Sequence, residues 1–166
     1  MMRVLALMVI VVASCNPVLD DEIAALGPET PGVRPGPLHR PGQPCLLCHD
    51  GEIGDPVAFS VAGTVFQAPG PLPSREPAVG ANVYLTDATG SHQDPATNAA
   101  GNFYIQASDW SPVFPLQVVV KPATGPDVFM LSLVEGGSCA SCHVDPAGKD
   151  SPGRVSLTLD DGGVPR

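Results

Sequence analysis

The sequence predicts an all-β domain, and three observations lead to this prediction. The 166 residues include 20 prolines and 18 glycines, a frequency that suits short strands joined by turns better than long helices. Six short segments are rich in β-branched and aromatic residues and are separated by Gly, Pro, Asn and Asp. Several of them alternate apolar with polar residues, so that one face of each strand can enter a core. We therefore expect two sheets packed as a sandwich.

The predicted strands begin after the first third of the chain. They comprise residues 58–67, 81–87, 102–107, 115–122, 128–134 and 154–160, with a weak seventh strand near 91–97. The alternation is clear where Val83 and Leu85 flank Tyr84. Glycines in DATG (87–90) and AAGN (99–102) lie where the backbone must reverse between strands.

The same region resembles a known family of sandwiches. Over residues 57–134 the runs V-x-G-T-V-F, G-A-N-V-Y-L-T-D-x-x-G, T-N-A-A-G-N-F-Y-I and P-L-x-V-x-V are similar to the carboxypeptidase regulatory-like domains. The resemblance implies a seven-strand, prealbumin-like (transthyretin-like) Greek-key sandwich, but no particular activity, because a fold does not determine function. The chain departs from the family in the PGPLPSREP insertion at 69–77 and in a cysteine motif before the last strand.

The N-terminus is typical of an export signal. Arg3 precedes the apolar run 4–13, which is too short to span a bilayer as a permanent helix. Residues 12–15, V-A-S-C, resemble a bacterial lipobox, which implies a signal peptide at 1–14 and lipidation of Cys15. Asn16 resembles the following residue of lipoproteins that go to the outer membrane. The alternative is an ordinary cleaved signal with an unrelated cysteine nearby.

The next segment, residues 15–44, is expected to be a disordered, Pro-rich tether between the lipid anchor and a domain at 45–166. Its seven prolines favour extended polyproline conformations and prevent regular pairing. The net charge of −9 argues against nucleic acid and anionic lipid as partners, because both require a basic surface. The lipid anchor is then the only expected contact with a membrane of the cell envelope, on its periplasmic or surface face.

Two pentapeptides carry the predicted chemistry: CLLCH at 45–49, the first motif, and CASCH at 139–143, the second motif. Paired CxxC sequences can bind zinc through four thiolates or form disulfides. Neither chemistry accounts for the histidine that follows both pairs. CxxCH is the sequence to which haem c is attached, because the thiols form thioethers with the haem vinyl groups and the histidine ligates the iron.

We therefore expect two covalent haems c, and the motifs resemble those of the multihaem cytochromes c. Export agrees with this expectation, because bacterial c-type haem attachment takes place outside the cytoplasm. The expected thioether and proximal ligands are Cys45, Cys48 and His49 for the first haem and Cys139, Cys142 and His143 for the second. Strand parity places both motifs at one end of the sandwich if the weak strand exists.

Few residues remain as distal ligands of the two irons. Outside the motifs the chain has His39, expected at the first haem, and His92, expected at the second. Met130, within a predicted strand, is the alternative. Two bis-histidine sites would be low-spin, with potentials below that of a His/Met pair.

These features favour an exported dihaem cytochrome that transfers electrons to or from redox partner proteins in the envelope. No acid/base constellation is visible near the motifs, so no catalytic residue is assigned and the chain is not expected to be an enzyme. Two alternatives stay open: a dihaem peroxidase or haem-based sensor, which needs an open iron position, and a zinc-binding or disulfide-stabilised interaction module.

Overall fold

The computed structural model describes residues 17–29, 32–52, 57–70 and 75–158. Its elements in these ranges are the helix α1 (Pro17–Ala25), the strands β1 (Phe59–Thr64), β2 (Asn82–Thr86), β3 (His92–Gln93), β4 (Asn102–Gln106), β5 (Gln117–Lys121) and β6 (Val128–Phe129), and short 3₁₀ helices at Cys45–Leu47 and Cys139–Ser141. No helix in this part of the chain is long and apolar enough to cross a membrane. The all-β prediction is confirmed.

The strands form two antiparallel sheets. One sheet has two strands in the order β1-β4, and the other has four in the order β3-β2-β5-β6. Gly63 of β1 pairs with Phe103 of β4, and Leu85 of β2 pairs with Val118 of β5. Every strand is short, as the frequent proline and glycine predicted.

The core joins side chains from both sheets into one buried cluster. Val83 and Leu85 are buried while Asn82 of the same strand is exposed, as the alternation predicted. The largest fully buried side chains are Phe66, Leu85, Leu116, Val61, Val65 and Val83. The sheets therefore pack with their apolar faces together.

The C-terminal strands differ from the prediction. Of the expected strand 128–134 only β6 is regular, followed by a single bridge between Leu116 and Val134. The expected strand 154–160 forms one parallel bridge, Phe66 with Ser156, and its last two residues lie outside the described ranges. The structure thus has six named strands over its described residues. The run between these segments carries the second motif, whose 3₁₀ turn interrupts strand pairing.

The segment before the first motif is more ordered than a disordered tether. Residues 17–25 are helical, and the backbone of Pro37, His39 and Gly42 is hydrogen-bonded to side chains of β1 and β4. The Gly42 N–H donates to Thr64 Oγ1 at 2.8 Å, and Asn102 Nδ2 donates to the carbonyls of Pro37 and His39 at 3.2 and 3.1 Å. Proline lacks a donor but keeps its carbonyl acceptor, so a Pro-rich segment can still be fixed by donors on a neighbouring strand. The signal at 1–14 and Cys15 lie outside the described residues.

Candidate functional site

The two motifs share one local conformation. In the first motif the His49 N–H donates to the Cys45 carbonyl at 3.0 Å, and in the second the His143 N–H donates to the Cys139 carbonyl at 2.9 Å. A single 3₁₀ turn therefore brings each pair of thiols and its histidine together. The shared CxxCH pattern thus folds into the same turn although the two middle residues and the surroundings differ.

Both motifs pack against β1 and adjoin each other. The Phe59 N–H donates to the His49 carbonyl at 2.9 Å, which places the first motif at the start of this strand. The Ala62 N–H donates to the Gly137 carbonyl at 2.9 Å, which places the second motif along its middle. A Cβ on Gly137 would lie 3.2 Å from Leu46 of the first motif. The two predicted haem sites are thus neighbours on one strand.

The four motif cysteines are unpaired in the structure. All are free thiols, so no disulfide joins them. Burial, with a smaller effect from neighbouring Cys45, raises the pKa of Cys139 to about 12, and burial also raises the pKa of Cys45. Within the described ranges no three His, Cys, Asp or Glu side chains converge as metal ligands. The geometry therefore gives no support to a four-thiolate zinc site.

Three histidines are oriented through the same ring nitrogen. His49 Nδ1 lies 3.0 Å from the Val57 carbonyl and His143 Nδ1 lies 2.8 Å from the Gly153 carbonyl. His39 Nδ1 is in short contact with the Gly36 carbonyl. His39 Nδ1 also accepts from the Gly36 N–H at 3.3 Å, so its contacts do not fix one tautomer. At His49 and His143 the carbonyl can only accept, so Nδ1 carries the proton and the lone pair is on Nε2. This tautomer is the one in which Nε2 can ligate a metal.

His39 lies opposite the histidine of the first motif. The ring centroids of His39 and His49 are 5.9 Å apart, with 41° between their planes. The His49 ring stacks on Phe59 at 4.3 Å, and Phe59 stacks on Tyr104 at 4.6 Å. The aromatic stack fixes the His49 ring, and the bonds from Asn102 hold the backbone of His39. Both rings are thus positioned by the two-stranded sheet of β1 and β4.

A cavity of about 970 Å³ lies beside the second motif. Cys139, Cys142 and His143 contribute to its wall, together with apolar side chains from both sheets: Val65, Val83, Phe103, Val118, Val120 and Val128. Protein interiors are close-packed, and a volume of this size is near the upper end of the ~300–1,000 Å³ found for ligand sites. The sandwich therefore leaves room for a large apolar ligand next to two thiols and a histidine.

The structure separates the two candidates for the second distal ligand. Met130 is half-buried, follows β6 and lines the same cavity as His143. His92 is exposed on β3, where it pairs with Thr86, and it is not among the residues of the cavity wall. Of these two candidates, Met130 is therefore the one that shares a cavity wall with the second motif.

Sequence reasoning missed two arginines in the cavity wall, Arg75 and Arg154. Both form ion pairs with Asp145, at 3.1 and 3.3 Å. Arg75 belongs to the 69–77 insertion, whose position relative to the motifs could not be predicted. Its only signal was the scarcity of basic residues, with Lys and Arg totalling 8.

No similar protein was found that supports the fold or the chemistry of the two motifs. No protein-family model matches the chain, and neither do any of the curated proteins or solved structures with which it was compared. The resemblances to the carboxypeptidase regulatory-like domains and to the multihaem cytochromes c therefore stay predictions. What the chain can do must be inferred from its own residues.

Proposed function

We propose that this chain is a dihaem c-type cytochrome that transfers electrons at the bacterial cell envelope. The observation that carries the proposal is the apolar cavity of about 970 Å³ beside the thiols of Cys139 and Cys142 and the ring of His143. A covalently attached haem supplies a one-electron Fe(III)/Fe(II) couple. The residues present fit such a group, since they offer two thiols, an oriented imidazole and space for a porphyrin-sized apolar body.

At the first motif, Cys45 and Cys48 would form the thioethers, His49 would be the proximal ligand and His39 the distal ligand. Metal–imidazole bonds are about 2 Å long, so two rings that bind one metal ion from opposite sides have centroids roughly 6 Å apart. The observed separation of 5.9 Å agrees with this value. The hydrogen bond from Nδ1 to the Val57 carbonyl directs Nε2 of the His49 ring toward ligation.

At the second motif, Cys139 and Cys142 would form the thioethers, with His143 as proximal ligand. Met130 is supported as the distal ligand because it shares the cavity with His143, whereas His92 does not line it. A thioether ligand raises a haem potential relative to a second imidazole. The two haems are then expected to differ in potential, with the second the more oxidising.

Electron transfer is proposed in preference to catalysis because both irons would have protein ligands on both sides. A peroxidase or a gas sensor needs an open position at one iron. The adjacency of the motifs on β1 supports electron transfer between the two haems within one chain. Redox partner proteins in the envelope, with membrane attachment through lipidated Cys15, complete the proposal.

The proposal is tested by the intact mass of the exported protein. A polypeptide that carries two haem adducts is expected, with Cys48→Ser and Cys142→Ser each weakening or losing attachment of one. Cys15→Ala is the matched control, since it should release the protein from the membrane fraction and leave both adducts in place. A wild-type mass without covalent adducts would reject the dihaem function.

A further inference from the structure

Arg75 is buried in the cavity wall with unused donors. Its side chain is 5% exposed, and Nη2 donates to Asp145 Oδ1 at 3.1 Å. Its Nε and Nη1 are also buried, and they have no hydrogen-bond acceptor in the part of the chain that the structure describes. Buried donors without partners are rare because removing them from water without a replacement acceptor costs free energy. The arrangement indicates an acceptor that is not among the described residues.

The charges around Arg75 indicate that this acceptor is an anion. Arg75 and Arg154 share the single carboxylate of Asp145, so the cluster carries one uncompensated positive charge. Arg154 also donates to the His143 carbonyl at 3.3 Å and to the Gly42 carbonyl. The Arg75 guanidinium lies 5.1 Å from the centroid of the Phe66 ring, which fixes its position but supplies no acceptor. Arg75 is therefore the member of the cluster that can bind an anionic group.

The rest of the cavity wall indicates which kind of ligand would carry the anionic group. Its wall is largely apolar, with Val118, Val120 and Val128 from the four-stranded sheet, so a small hydrated anion would leave most of the wall uncovered. A large apolar body with a carboxylate would satisfy both the valines and the guanidinium. The propionate side chains of a haem are carboxylates of this kind.

We propose that Arg75 binds a propionate carboxylate of the haem attached to Cys139 and Cys142. This inference rests on the proposed function. Arg75 would then position the second haem through its periphery, while His143 holds the iron. A guanidinium at the haem periphery would also stabilise the reduced state relative to the oxidised state, because the reduced centre carries one positive charge fewer. Loss of the Arg75 charge should lower the potential of the second haem and leave that of the first unchanged.

The test compares Arg75→Gln and Arg75→Lys in the full exported chain, with the exposed Arg34→Gln as matched control. Potentiometric titration is expected to show a lower potential for one haem in Arg75→Gln and a potential close to wild type in Arg75→Lys. Resonance Raman spectra should show a shifted propionate bending band in both variants, because lysine keeps the charge but changes the hydrogen bonds. In a Cys142→Ser background, Arg75→Gln should leave the remaining potential unchanged.

The outcomes separate this inference from the function on which it rests. Two attached haems with unchanged potentials and an unchanged propionate band in Arg75→Gln would overturn the role of Arg75 and leave the dihaem function intact. If added phosphate shifts the potential of the wild-type protein, Arg75 binds a free anion, and this result would also overturn the proposed contact with the propionate. If Arg75→Gln does not fold, Arg75→Lys tests the inference instead. An unshifted propionate band in Arg75→Lys would contradict the contact between Arg75 and the propionate. Wild-type protein without covalent haem would reject the function itself.

Discussion

The Cys139 thiol lies directly over the backbone of Gly63. A Cβ at this glycine would come within 2.8 Å of Cys139 Sγ and 2.9 Å of the Phe103 ring. The second motif can approach β1 this closely only because residue 63 has no side chain. The glycine in V-x-G-T-V-F thus positions one of the proposed thioether cysteines.

Gly63→Ala is expected to displace the second motif and to destabilise the domain by ~1–3 kcal/mol, as overpacking of a core does. The extent of haem attachment at Cys142 should fall as well. Gly136→Ala is the matched control, because a Cβ there meets nothing within 4 Å although it lies three residues before Cys139. Urea unfolding and the haem-to-protein ratio measure both effects, and equal values for the two variants would contradict the role of Gly63.

His39→Ala is expected to convert the first haem from low-spin to high-spin, because the ring opposite His49 is removed. EPR of the oxidised protein measures the change. His92→Ala is the control and should leave both haems low-spin, since His92 is exposed on β3. A high-spin signal in His92→Ala would restore His92 as a ligand. An unchanged EPR spectrum in His39→Ala would exclude His39 as a ligand.

Met130→Ala should remove the thioether-to-iron charge-transfer band and lower the potential of the second haem. Near-infrared magnetic circular dichroism of the oxidised protein detects this band. Leu131→Ala, a neighbouring change at a residue that is 74% exposed, should leave it in place. Absence of the band from the wild-type protein would exclude Met130 as a ligand.

The fold class was predictable because strand periodicity and turn residues are local signals. Alternation identified the buried Val83 and Leu85, and even the weak strand near 91–97 is present as β3. The last strands were overestimated because apolar residues at 131 and 133 resemble core positions in sequence but are exposed in the structure. Local patterns report which residues suit a strand and not whether a partner strand is available.

The candidate site was predictable only where chemistry depends on spacing along the chain. The motif residues follow from CxxCH, but the cavity, Met130 in its wall and the ion pairs of Asp145 depend on contacts between distant segments. The separation of 70 positions between Arg75 and Asp145 illustrates the difficulty. His92 was assigned because few histidines lie outside the motifs, and that count does not say which face of the sandwich a residue occupies.

Asp87 should make the stability of the fold depend on acid pH. A hydrogen bond from the Thr89 hydroxyl, followed by those from the N–H groups of Val113, Thr89 and Ser91, lowers the pKa of this carboxyl, against the opposing effect of burial. Its contribution to stability is therefore present above the unfolded pKa of about 3.9 and is lost as pH falls through the lower folded pKa.

Asp87→Asn should accordingly flatten the dependence of the unfolding free energy on pH between about 2 and 5. Urea unfolding across this range measures the slope. Asp94→Asn, a change at an exposed carboxylate outside this turn, serves as control and should retain the wild-type slope. Parallel curves for wild type and Asp87→Asn would show that the turn from Asp87 to Ser91 holds equally well without the charge.

The cavity beside the second motif predicts that the core of the domain packs fully only when its ligand is bound. A volume of about 970 Å³ adjoins both small sheets, and the side chains of Val118 and Val120 line it. Protein made without haem attachment is therefore expected to keep its strands but to bind the dye ANS and to lose near-ultraviolet circular dichroism. Cys48→Ser, which affects only the first motif, should bind less dye than Cys142→Ser, because the cavity adjoins the second motif. Equal dye binding by the two variants would show that the cavity does not depend on the ligand at Cys142.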